Sequence, residues 1–306
     1  MVGIGFETDD RQVVAVLRHT VDPVFRWLRD GHGVFDSYLR GALDDSSALR
    51  ITICTRAGDL TDAIGDWIGN AAGVQPDSIA YHAVTEPVDH QPVRTRMSEG
   101  LLRWSAEAGD RTPLHCAVSL MSAVADLHPA GRAHGLISFK SHVEGLSNNL
   151  LSPDNRQRLD ATARRWIDAE ADWLGQTAEA AHSPWTIPLA WSFGHFQALG
   201  ATPAPAASGA AVRSRFHTTY GELIDDYDEP WFRALRELLS FVYANLFPLI
   251  GIGLKLRLAA ATILTEYSAR TGWDPAAIFA KLDREATPPD LAHYAPTRYE
   301  GIDVSL

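Results

Sequence analysis

Two stretches of the chain concentrate side chains that move protons or grip amides. In GLISFKSHVEGLSNN, Gly135 to Asn149, an apolar run is followed by Lys140, His142, Glu144, Asn148 and Asn149. Imidazole is the side chain suited to proton transfer near neutral pH, so His142 is the acid–base candidate there, with Glu144 two residues on. In RELLSFVYANLFPLI, Arg236 to Ile250, Ser240 and Tyr243 are three apart and therefore neighbours on a helix, with Phe247 one turn further. Leu238, Phe241, Val242, Leu246 and Leu249 make that helix apolar on most sides. Burial follows, and with it a need for partners at the hydroxyls and at the Asn245 amide. Those partners are either protein groups or a ligand's peptide bond, since a hydroxyl donates to a carbonyl oxygen and accepts from an N–H. Tyr267, in LTEYSAR on the next helix, either faces the same space or packs at a helix interface with its hydroxyl in water.

Composition narrows the chemistry further. At 306 residues, with 46% hydrophobic and 21% charged side chains, the chain is long enough for a substantial core. A net charge of -11 argues against broad nucleic-acid binding, which needs a basic face to neutralise phosphates. Nine tryptophans suit a groove lined by aromatic rings as well as a core. Cys54 and Cys116 lie far apart and outside any zinc-like spacing, so both read as buried thiols of a cytoplasmic protein, and no metal site is expected. The start, MVGIGFETDDRQ, lacks the regions of a signal peptide, and LFPLIGIGL near Leu246 to Leu254 is too short to span a bilayer. No phosphate loop, zincin motif or nucleophile elbow is present; GIGFE near the N-terminus follows no strand, which argues against a dinucleotide site. What remains is side-chain chemistry without a cofactor.

The elements that must position these groups differ between the halves. ALRITIC, Ala48 to Cys54, and SIAYHAV, Ser78 to Val84, read as strands. Between them Asp59 is the expected cap of a helix carrying Leu60, Ile64, Trp67, Ile68 and Ala71 and closed by Gly73. Leu101 to Trp104 and Pro113 to Leu127 read as helical. Leu136 to Phe139 fits either a strand or the start of a helix running through Leu151. In the second half SPDN, Ser152 to Asn155, caps one long helix with a stripe of Leu159, Ala163, Trp166, Ile167, Trp173 and Leu174. Further helices are expected at Trp231 to Phe247 and Leu254 to Arg270. ALGATPAPAASGAAVRS, Ala198 to Ser214, has the composition of a mobile loop, and the tail from Thr287 is expected to lie irregularly on the surface. The fold class expected is α+β, a single domain with a mixed sheet and packed helices in the N-terminal half and a mostly helical C-terminal half.

The order of these segments resembles the elimination domain of class I lanthipeptide dehydratases, and more narrowly its stand-alone relatives, the thiopeptide pyridine synthases. SALRITI around Arg50, YHAVTEPVDHQP around Glu86, ISFKSHVEGLSNN around His142 and the run FVYANLFPLIGIGLKLRLAAATILTEY carry the resemblance, which spans most of the chain. Glutamate-eliminating members hold the glutamyl ester with a pair of arginines on the first strand and another in an Arg-Tyr-Gly-Gly run. Here Arg50 survives, Thr52 stands where the second arginine is expected, and VDHQPV replaces the run. The pattern is therefore more similar to the pyridine synthases.

That resemblance implies a cofactor-independent cyclase and lyase. Its substrate is a leader-bearing, azole-containing peptide with two dehydroalanines, joined by a formal (4+2) aza-cycloaddition. Loss of water and expulsion of the leader then give a pyridine macrocycle. Ser240, Tyr243, Tyr267 and His142 are the implied catalytic residues, and Arg50, Glu86, Glu144 and Asn245 the implied substrate-binding ones. The leader is expected on Arg94 and Arg96, in RTRM, and on Arg213 and Arg215, in RSRF. Other enzymes of the same pathway are possible partners; nucleic acid and membrane are not. The alternatives are a lyase forming dehydroalanine from glutamylated serine, favoured by convergence of Arg94, Arg96 or Arg103 on Arg50, and a non-catalytic leader-binding partner.

Overall fold

The structure, a computed structural model, describes residues 1–9, 11–43, 49–75, 78–84, 90–129, 131–179, 183–200 and 230–272. The sequence predicts one domain; the chain divides into two compact units, each drawn from three separate stretches. Unit 1 takes the described residues of Met1–Cys116, His182–His195 and Glu237–Gly253, and unit 2 those of Ala117–Ala181, Phe196–Arg236 and Leu254–Leu306.

Unit 1 is built on a sheet of β1 (Val2–Thr8), β2 (Tyr38–Leu43), β3 (Leu49–Thr55) and β4 (Ala80–Ala83), in the order β2-β3-β1-β4. The expected strands are β3 and β4. The sheet, expected to be mixed, is antiparallel in each of its pairings, in keeping with the α+β class. GIGFE is itself the body of β1, with Ile4 and Phe6 buried. Between β1 and β2 runs α1, a continuous helical stretch of Val13–Val16, Leu17–Val21, Asp22–Arg26 and Trp27–Gly31, whose second and fourth parts are π-helical. Asp59 does not cap the following helix: it sits in a 3-10 turn, Gly58–Leu60, that leads into α2 (Thr61–Ala72), closed as expected by Gly73 at φ 65°.

Two elements cover β2. The first is α3 (Gln91–Glu107), entered through Pro92 and tied to the strand where the Leu39 N–H donates to Ser98 Oγ at 2.9 Å. Arg18 of α1 meets carbonyls at and just beyond the C-terminus of α3: Nε donates to Ser105 O at 2.7 Å and Nη2 to Gly109 O at 2.8 Å. The second is the turn Pro248–Ile250, whose backbone at Leu249 lies where a Cβ on Gly41 would be. Gly41→Ala is expected to cost about 1–3 kcal/mol of stability, read as a lower urea midpoint, because only backbone movement makes room for the methyl.

The regular structure of unit 2 is all helical among its described residues. It contains most of α4 (Pro113–Ala125), then α5 (Arg132–Leu150), α6 (Pro153–Ala169), α7 (Ala171–Glu179) and α10 (Leu254–Arg270). Leu136–Phe139 belongs to the helix alternative. Ser152 caps α6 by accepting from the Asn155 N–H, with Pro153 at its first position. The long helix expected here is two, broken at Glu170, and Trp166 and Trp173 meet edge to face across the break at 5.8 Å. On α6 burial raises the Asp160 carboxyl above its ordinary value, Glu266 adds to the rise, and Arg156 and Arg164 oppose it. A carboxyl easier to protonate folded than unfolded weakens folding at neutral pH, and the loss is recovered as pH falls through the raised value. Asp160→Asn is therefore expected to raise Tm at pH 7, with the gain shrinking at pH 4 in scanning calorimetry; a gain that grows on acidification contradicts it.

The remaining helices are α8 (Thr186–Ala198) and α9 (Pro230–Phe241). The predicted Leu254 to Arg270 helix is α10 with both ends in place. Among the described residues no single helix is long and apolar enough to cross a membrane. Both cysteines are free and buried, and burial pushes the Cys116 thiol well up. Residues 201–214 of the Ala/Pro/Gly loop and the tail from Thr287 lie outside the described residues.

Candidate active site

In unit 1 the candidate residues gather at the end of α9. The helix passes at Phe241 into a π-helical turn, Val242–Leu246, which inserts one residue into the repeat. The Asn245 Nδ2 donates to Phe241 O at 3.1 Å, meeting a carbonyl inside this irregular turn. Its Oδ1 accepts from Arg94 Nη2 at 2.5 Å. The Arg94 guanidinium also lies 5.5 Å from the Phe241 ring centre and 6.0 Å from that of Tyr38, inside cation–π range. His90 meets the same Phe241 ring edge on at 6.1 Å. For Asn245, then, protein groups hold both ends of the amide.

This corrects one expectation. Arg94 is only 8% exposed, so it is a buried cation ordering the π turn and not part of a surface patch for the leader. Burying a guanidinium is costly unless its donors are met, and the amide and the two rings do that here. Ser240 departs from expectation as well: it is exposed, so its hydroxyl carries no burial cost. Tyr243 is half-buried with its hydroxyl enclosed, and its ring packs on Phe247 at 5.4 Å. Helical spacing placed both on one stripe, but only Tyr243 turns inward.

The outer side of α3 forms a groove of about 600 Å³. Arg96 pairs with Glu99 at 2.9 Å and lies 5.6 Å over the ring of Trp191, which stacks on His195 at 5.1 Å. Across the groove Arg56 pairs with Asp36 at 2.8 Å and donates to Gln91 at 3.3 Å, beside Phe35, which is 67% exposed. Asp36, Arg56 and Phe35 also border a second depression of about 520 Å³, so the two are contiguous. Arg56, Phe35 and Trp191 were missed in the sequence because three distant segments bring them together; the tryptophan count was the one signal.

Arg50 is exposed on β3 and pairs with Glu7 of β1 at 2.8 Å, its directly opposite residue in the register. Arg50, Arg94 and Arg96 thus bond to three different protein groups, Glu7, Asn245 and Glu99.

Unit 2 holds Tyr267 and His142. His142 is on α5, half-buried, with Nε2 enclosed. Glu144 follows on the same helix, its side chain outside the described residues together with Glu86, Arg213 and Arg215. Tyr267 lines a cavity of about 240 Å³ between α4, α5, α7 and α10. Arg132 is at its edge, held by Asp126 through two bonds of 2.5 Å. That pairing raises the guanidinium above its ordinary value, and Tyr267 contributes in the same direction.

No family model matches the chain, and no curated protein matches it. Solved structures do. TsrL superposes with a TM-score of 0.59 at 14% identity, over 94% of this chain and 99% of TsrL. TbtD, a pyridine synthase from thiomuracin biosynthesis, does so with a TM-score of 0.59 at 15% identity, over 88% of this chain and 97% of TbtD. The chain has the pyridine synthase fold. At these identities few side chains are shared, and the fold carries the likeness. The π turn that orders Asn245 and the cavity beside Tyr267 are features of this pyridine synthase-like chain drawn from its own sequence.

Proposed function

We propose that the protein is a pyridine synthase of thiopeptide biosynthesis. It joins two dehydroalanines of a leader-bearing peptide by a formal (4+2) aza-cycloaddition, then removes water and the leader. The observation that carries the reading is the likeness to TbtD over nearly the full length of both chains.

The diene requires an amide in its imidic-acid form, with a proton moved from nitrogen to oxygen. Neutral hydroxyl donors stabilise that form without burying a charge, which is the role assigned to Tyr243, Tyr267 and the exposed Ser240. Bond formation between one alkene terminus and the second alkene, and between the second alkene and the imidic carbon, leaves a tetrahydropyridine carrying a hydroxyl. His142 assists loss of that hydroxyl as water. It also assists cleavage of the bond to the leader nitrogen, which departs as a carboxamide and takes up a proton. Holding the alkenes in contact supplies up to roughly 7–11 kcal/mol of the acceleration.

The unit 1 groove is the seat assigned to the leader. Phe35 and Trp191 offer exposed aromatic surface, and the Arg56–Asp36 and Arg96–Glu99 pairs offer both signs of charge along the walls. The test is mass spectrometry on a synthetic leader-bearing azole peptide with two dehydroalanines, incubated with purified protein. A leader carboxamide together with a pyridine macrocycle is the expected result. If the peptide comes back unchanged while a glutamylated serine peptide loses glutamate, the reading is wrong and elimination replaces it.

A further inference from the structure

The cavity beside Tyr267 carries an inference of its own. Ser122 on α4 and Ser268 on α10 both line it and are 5% and 8% exposed, yet neither hydroxyl bonds to a protein group among the described residues. The Tyr267 hydroxyl, which lies beside Gly175, likewise makes no protein hydrogen bond among them. Serines inside helices ordinarily turn back to the carbonyl four residues earlier, as Thr262 and Thr265 of α10 do. Three hydroxyls without a protein hydrogen bond among the described residues, around one space, are poised for something that enters it.

The walls say what that is. Leu136, Leu174 and Leu264 are apolar and buried. Among the described residues the only charged one in the lining is Arg132, and Asp126 already pairs with it. The described lining therefore offers no unmatched charge to hold an ion of either sign. Its 240 Å³ exceeds the roughly 150 Å³ that encloses a benzene in an apolar protein cavity. That leaves room for a fused bicycle, or for a small ring and its linker, but not for a folded peptide.

We propose that this cavity binds an uncharged heteroaromatic ring of the azole type, its flat faces against the leucines and its ring heteroatom accepting from Ser122 or Ser268. The proposal deepens the reading above, on which its natural ligand rests: an azole of the substrate peptide would be the occupant, placing Tyr267 beside it.

The experiment uses the full-length protein with benzothiazole and its hydrocarbon counterpart indene, titrated by ligand-observed NMR with no peptide present. Benzothiazole is expected to bind at least about tenfold more tightly than indene, the difference one or two hydroxyl hydrogen bonds make. In a Ser122→Ala, Ser268→Ala variant the two ligands are expected to come within about twofold of each other, the loss falling on benzothiazole. Ala133→Phe, which fills the cavity, is expected to abolish binding of both. Equal affinities on the native protein overturn the proposal, as do no binding at all, a preference that survives loss of both serines, or binding that survives the phenylalanine. If Ala133→Phe does not fold, the serine variant, which only removes oxygen atoms, decides alone. Binding without pyridine formation in the mass-spectrometric test keeps the cavity and discards the reaction; turnover without binding does the reverse.

Discussion

Tyr243→Phe is expected to lower turnover of a leader-bearing bis-dehydroalanine peptide by about 10²–10³-fold, with Tm within a few degrees of the native protein. The substitution removes one oxygen and keeps the ring, so the packing against Phe247 survives and the fold loses little. The hydroxyl sits in enclosed surroundings, where a donor aimed at developing charge acts more strongly than in water. KM should change little, because the leader is assigned to a groove formed by other residues. Rapid-quench measurement of pyridine formation at saturating peptide separates the two parameters. An unchanged kcat would remove Tyr243 from the chemistry and leave it as a packing residue of the π turn.

Arg94→Ala is expected to cost about 2–4 kcal/mol of folding free energy, among the largest effects of any single substitution in unit 1. The guanidinium is buried, its Nη2 donates to Asn245 Oδ1, and two aromatic rings flank it. Truncation removes a charge-assisted bond, leaves the amide oxygen without that donor and opens a void between Tyr38 and Phe241. Arg94→Lys should recover little of this, since an ammonium lacks the flat fork that reaches the amide and lies along the rings. Because Asn245→Ala breaks the same bond, the two losses should be non-additive by more than about 0.5 kcal/mol in urea unfolding. Additive losses would mean the contact contributes nothing.

What the sequence made legible follows from where the information is local. Leu254 to Arg270 and the Ser152 cap were found because a long apolar pattern and a Ser-Pro pair act within a few residues. β1 was missed because Gly3 and Gly5 remove the side chains that mark a strand, and those same positions let the His82 ring of β4 lie close across the backbone. α1 was missed because Pro23 interrupts its pattern and two π-helical parts shift its period. Leu136 to Phe139 was ambiguous because four apolar residues suit either structure, and only a 19-residue helix around them decides. Tyr243 and Tyr267 were singled out by type and spacing, and each is half-buried, Tyr243 in unit 1 and Tyr267 in unit 2. The burial of Arg94 and the rise of Arg56 into the groove depend on partners far along the chain, where helical and strand periods carry no signal.

The bond between Arg94 and Asn245 spans 151 residues, and the turn that packs against Gly41 of β2 comes from the same late segment. During synthesis at roughly 5–20 residues per second, the strands and α3 therefore emerge about 8–30 s before the residues that cover them. Through that interval Tyr38, Phe6 and their neighbours can collapse locally, but the cation of α3 has no amide to meet and β2 lacks the second of its two covers. A nascent chain stalled ahead of residue 237 exposes an apolar sheet face and belongs to the chaperones. Yield in a foreign host should then depend on translation speed across the second half of the message more than on the stability of the finished protein.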